Sequence, residues 1–141
     1  MAGAKIVVTG IEETQQLLAD APKNVVMLGY GRASNAAMNV LAEALISRTP
    51  VKHGDLARAL VINVSVDANS KGSFGQVGFG KQGLVAYWLE YGHRIVTHKP
   101  GKKEVGEVSA QPFMRPAFDS SADAAIDAFC AALEASLKQA Y

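Results

Sequence analysis

Asn24-Val25-Val26-Met27-Leu28-Gly29-Tyr30-Gly31-Arg32-Ala33-Ser34 opens the most periodic segment of the chain, Lys23 to Arg48, and two folds compete for it. Read as a strand running into a glycine turn, it begins a dinucleotide-binding unit, whose glycines serve a tight turn, close pyrophosphate approach and helix packing. Here the third glycine of that fingerprint is replaced by Ser34, and 141 residues leave too few following βα units for a doubly wound sheet. The helix reading explains more. Val26, Tyr30, Ala33, Ala37, Val40, Leu41, Ala44 and Leu45 recur at spacings of three and four, the apolar stripe of an amphipathic helix. Gly29 and Gly31 each weaken it by about 1 kcal/mol relative to alanine, so a break or bend is expected in its first half. Thr49-Pro50 stops it, because the residue before a proline is pushed out of the α region.

Outward from this helix the signals are shorter. Lys5 to Thr9 is β-branched and reads as a strand; Ile11 to Ala21 reads as a helix with Glu12 and Glu13 in its first turn, where the dipole favours carboxylates. Gly54 to Ala59 predicts a helical turn capped by Asp55. Leu60 to Asp67 and Ser73 to Gly80 alternate apolar and polar residues around the turn Ala68 to Gly72, which predicts an antiparallel hairpin. Leu84 to Tyr91 is aromatic and apolar and suits a short helix. His93 to Val108 has no sustained helical face; its valines and isoleucine allow a loose hairpin, and the expectation is an extended, mobile loop over about 93–110. Phe113 to Ser120 and Ala122 to Ala140 read as helix, the latter with Ala125, Ile126, Phe129, Leu133 and Leu137 in one stripe. The sum is one α+β domain over residues 1–141: a small antiparallel sheet packed by a long helix and a C-terminal helix.

Hydrophobic residues make up 49% of the chain and charged residues 19%, which fits a globular domain with a core. Much of the apolar content is alanine, so that core is expected to be thin. A net charge of +1 carries no global argument for nucleic acid or another polyanion. The single cysteine, Cys130, excludes an internal disulfide and reads as a small buried apolar residue. No secretory signal is visible behind Lys5, and no apolar run approaches the roughly 18 residues that span a bilayer, so a cytoplasmic chain with no membrane partner is expected.

No catalytic set stands out. His53 and Asp55 could orient a base, but no strained-turn nucleophile accompanies them. His93, His98 and Glu90 lack the tight spacing of a metal site, and no metal or cofactor is expected. Arg94, Lys99, Lys102 and Lys103 form a basic run without interleaved aromatics, partly neutralised by Glu104 and Glu107. A small nucleic-acid-binding module is therefore the second reading and a nucleotide-binding protein the third, behind a loop that meets an acidic protein neighbour. In Gln111-Pro112-Phe113-Met114-Arg115-Pro116-Ala117, Pro112 fixes the approach to a helix and Phe113 anchors it. Pro116 is tolerated there only within the first turn. Arg115 then sits at a helix start, against the dipole, and calls for a carboxylate partner such as Glu90.

Three segments in fixed order carry a resemblance. They are Pro50-Val51-Lys52-His53-Gly54-Asp55-Leu56, then Glu90-Tyr91-Gly92, then Pro112-Phe113-Met114-Arg115-Pro116-Ala117. Together, over roughly residues 5–135, they resemble the tail-completion and head–tail joining family of long-tailed bacteriophages. His53 and His93 stand where that family often has threonine. The resemblance implies a structural virion protein with no enzymatic activity. It implies a ring, usually sixfold, at the head-proximal end of the tail, between the tail tube protein and the head connector or stopper, assembled in the bacterial cytoplasm. The segment bearing Arg94, Lys99, Lys102, Lys103, Glu104 and Glu107 is then the expected interface element.

Overall fold

A computed structural model describes residues 11–139 apart from 21, 52, 53, 68, 70, 71 and 99. The expected first strand, Lys5 to Thr9, and the interface residue Lys99 lie outside the described residues, as does His53. The elements run α1 (Ile11–Asp20), α2 (Lys23–Arg48), α3 (Asp55–Arg58), β1 (Val61–Val66), β2 (Ser73–Gly78), α4 (Gly83–Tyr91), β3 (His93–Val96), β4 (Glu104–Val108) and α5 (Met114–Lys138). The result is α+β, with two small antiparallel sheets, a long helix and a C-terminal helix.

Residues 23–48 form one unbroken helix, so Asn24 to Leu28 is not the strand that a dinucleotide fingerprint needs. Neither glycine breaks it. A side chain at Gly29 would lie 3.2 Å from Leu133 Cδ1, so its absence lets α5 lie close. The two helices run antiparallel: Arg32 reaches Gln139 at one end and Arg48 reaches Ser120 at the other. Between them Ala33, Leu133 and Leu137 form one cluster and Ala37, Leu41 and Ala125 the next. The alanines are what bring the backbones together, and the core is as thin as the composition implies.

The β1–β2 hairpin covers another face of α2, with Val61 opposite Gly78 and Val66 opposite Ser73. Ile62, Val64 and Val66 turn inward while Val61, Asn63 and Ser65 face solvent, as the alternation predicts. Gly75 leaves the space that Met38 fills; a Cβ there would sit 2.9 Å from Met38 Cγ.

Four local expectations change. Residues 93–108 are a second hairpin, not a structureless loop: His93 pairs with Val108 and Arg94 with Glu107, with a register shift between Ile95 and Val96. The sparse apolar residues conceal a strand because the turn is closed by side chain and backbone together. Thr97 N–H donates to Lys103 O at 3.0 Å, and Lys103 N–H donates to Thr97 Oγ1 at 3.1 Å. Gly54, at φ 76°, occupies the capping position of α3; Asp55 is the first helical residue and pairs with Arg58 at 3.6 Å. The C-terminal helix is continuous from Met114 to Lys138. Cys130 is exposed, because it falls off the stripe Ala117, Ser121, Ala125, Leu133, Leu137 that α5 buries. An apolar residue type does not choose the face; the helical period does.

Candidate functional site

The three motif segments meet at one joint. Leu56 from the first, Phe113 and Ala117 from the third, and Leu45, Phe79 and Ala86 form a single buried cluster. The rings of Phe79 and Phe113 stand 5.6 Å apart. Pro50 is half-buried where the chain leaves α2, just past Thr49, whose hydroxyl donates to Leu45 O at 2.6 Å.

Glu90, from the second segment, holds the joint. It is the one acidic residue of α4 and only 3% exposed, yet its carboxylate lies at the start of α5. Phe113 and Met114 N–H donate to Oε2 at 2.7 and 2.9 Å, and Arg115 N–H donates to Oε1 at 3.2 Å. The first four N–H groups of a helix have no partner inside it. Here three go to one carboxylate and the fourth does not exist, since that position is Pro116. Ala117 N–H then makes the first internal bond, to Phe113 O at 3.2 Å. A carboxylate at this end also meets the positive pole of α5. Burial alone would raise the Glu90 pKa. The Met114, Phe113 and Arg115 N–H groups and the Arg115 charge outweigh it, and the carboxyl is held below its ordinary value.

Arg115 and Glu90 pair as their positions suggest, with Nε 3.6 Å from Oε1. The guanidinium also lies 5.0 Å from the centre of the Tyr91 ring. Gly92 has φ 74°, and a Cβ there would come within 2.6 Å of Val108 O and 2.9 Å of Ala110 N, so only glycine fits. Gln111 N–H donates to Leu89 O at 2.7 Å. The chain therefore leaves the joint at Gly92, makes the β3–β4 hairpin, and returns along Pro112, which is exposed, to the same place.

The expected interface residues sit on that hairpin, beyond the joint. Arg94 on β3 pairs with Glu104 on β4 at 3.4 Å. Lys102 and Lys103 are exposed in the turn, and Glu107 stands opposite Arg94. Of the two histidines on this hairpin, His93 is half-buried with its ring 5.4 Å from Trp88, while His98 is exposed. No group of three His, Cys, Asp or Glu among the described residues is placed to hold a metal.

Sequence reasoning missed the surface beside the joint. A cleft of about 410 Å³ is lined by Gly83, Tyr87, Tyr91, Met114, Arg115 and Phe118 over the Glu90 carboxylate. The Tyr87 and Tyr91 rings lie 4.8 Å apart, tilted by 44°, and both are more than half exposed, as is Phe118. A signal for it existed. Gly83–Tyr91 is apolar on every side apart from Glu90, and a helix cannot bury all of its faces in so small a body. No helix among the described residues is long and apolar enough to cross a membrane. Comparison with known proteins finds no matching family model, no matching curated relative and no matching solved structure.

Proposed function

We propose that the protein is a structural component of a long-tailed phage particle. It forms a ring at the head-proximal end of the tail and joins the tail tube to the head connector or stopper. The observation that carries this reading is the meeting of the three motif segments, dispersed over residues 50–117, in one joint. Segments that resemble one family in order also cooperate in space. The joint has the character of a scaffold: its carboxylate is spent on backbone N–H groups. What it leaves at the surface is aromatic and apolar, a composition suited to protein contact.

The nucleic-acid reading loses support, because Arg94 is paired with Glu104 and Glu107 stands across from it on the same hairpin. Nucleotide binding loses its strand–turn–helix frame to the continuous α2.

The test is solution mass by light scattering over a concentration series, with negative-stain images of large species. A closed ring near six copies is the expected result. A protein that stays monomeric throughout, even beside purified tails of its own phage, overturns the reading.

A further inference from the structure

The joint separates two apolar surfaces, both of them exposed, with no partner among the described residues. The first is the groove over α4 and the start of α5. Tyr87, Tyr91 and Phe118 are 57%, 53% and 51% exposed there. Among its described lining residues the one exposed charge is Arg115, two-thirds exposed, since the Glu90 carboxylate below is buried and occupied. A complementary occupant is apolar and carries a carboxylate.

The second surface has that chemistry. On the β3–β4 hairpin, Ile95, Val96 and Val105 are 43%, 47% and 61% exposed. Glu104 is engaged by Arg94, but Glu107 makes no ion pair among the described residues. Among the described residues the sheet has two strands, and no further strand pairs with either outer edge. An isolated two-stranded hairpin is marginal in water, so this one stands to gain from a surface to lie on.

The two surfaces adjoin in sequence yet stay open together in one molecule. The hairpin starts two residues after Tyr91, and Gly92, tight against Val108 O and Ala110 N, fixes how it leaves. With the hairpin in that direction the groove is uncovered. A second copy can close what one copy cannot.

We propose that the β3–β4 hairpin of one copy lies in the α4–α5 groove of the next. Its Val105–Glu107 stretch packs on Tyr87, Tyr91 and Phe118, and its Glu107 carboxylate faces Arg115 of the neighbouring copy. Each copy gives a hairpin and accepts one, so the contact is head-to-tail and closes as a ring or runs on as a filament. Tyrosine and arginine in the groove are the residue types that anchor interfaces, and the charge pair sets the orientation. The inference rests on the ring reading and names its two surfaces.

The experiment uses the full chain. A photo-crosslinking phenylalanine analogue replaces Tyr87, and cross-linked peptides are mapped by mass spectrometry. Cross-links between copies to residues 94–107 are expected. In parallel, Val105→Arg and Phe118→Arg, both at exposed positions, each weaken self-association by about tenfold or more while the thermal melt stays close to wild type. Mixing the two variants leaves one intact groove and one intact hairpin, so it yields paired molecules and nothing larger. If the wild type assembles but the cross-links map elsewhere, or Val105→Arg assembles normally, this pairing is wrong and the ring reading stands. A wild type that neither assembles nor cross-links at millimolar concentration, even beside purified tails, overturns both.

Discussion

Glu90 shows how one side chain can organise two helices. A partner found near Arg115 is legible in the sequence, because a cation at a helix start calls for a carboxylate. The larger role is not legible, since the three N–H groups belong to the backbone and leave no mark on residue type. Glu90→Gln keeps the shape but loses the charge, and is expected to cost about 2 kcal/mol in urea unfolding, as hydrogen bonds to a charged group are lost. Arg115→Ala is expected to cost at most about 1 kcal/mol, because the guanidinium is largely open to water and the buried carboxylate keeps its backbone donors. The Glu90 pKa is lowered in the folded state, so its contribution is complete above the ordinary carboxyl range of about 4.3 and fades as pH falls through the lower folded value. Acid unfolding followed by circular dichroism should therefore be steeper in the wild type than in Glu90→Gln. Gly92→Ala forces a side chain into Val108 O at positive φ and is expected to destabilise by about 2 kcal/mol or more, read from the melting temperature.

At the scale of elements, long periodic segments were readable and short ones were not. The stripe runs from Val26 to Leu45 within the 26-residue α2 and outweighs two glycines, one of which proves to be a packing device against Leu133. The first hairpin is announced by strict alternation. The second is hidden, because β3 and β4 are short, the register slips by a residue, and the turn is closed by Thr97, a contact without a sequence pattern. Gly29→Ala tests the first point: the helix gains intrinsic propensity, but the new Cβ crowds Leu133 at 3.2 Å. The expected outcome is no gain in melting temperature despite the roughly 1 kcal/mol that propensity alone would add.

For the whole molecule, the described core lies along the antiparallel α2–α5 pair and ends in the cluster where Leu56, Phe79, Ala86 and Phe113 gather. The exposed aromatic surface is poorly legible in the chain, since an exposed tyrosine and a buried one are spelled the same way. Only the fold shows that α4 turns Ala86 and Glu90 inward and leaves Tyr87 and Tyr91 outside.

The return of the chain at Gln111 to the place it left at Gly92 has a further consequence. The hairpin is framed by the joint but, among the described residues, lends no side chain to the cluster that Leu56, Phe79, Ala86 and Phe113 form. Joining Arg94 to Glu107 through a two-residue Asn-Gly turn removes the tip and keeps the His93–Val108 pairing. Such a shortened protein should melt like the parent and, if the proposed pairing of copies holds, fail to assemble. By the same logic, a hairpin borrowed from another chain could redirect which copies recognise one another while the body stays as it is. This part of the molecule can then drift toward new company over generations at little risk to the rest.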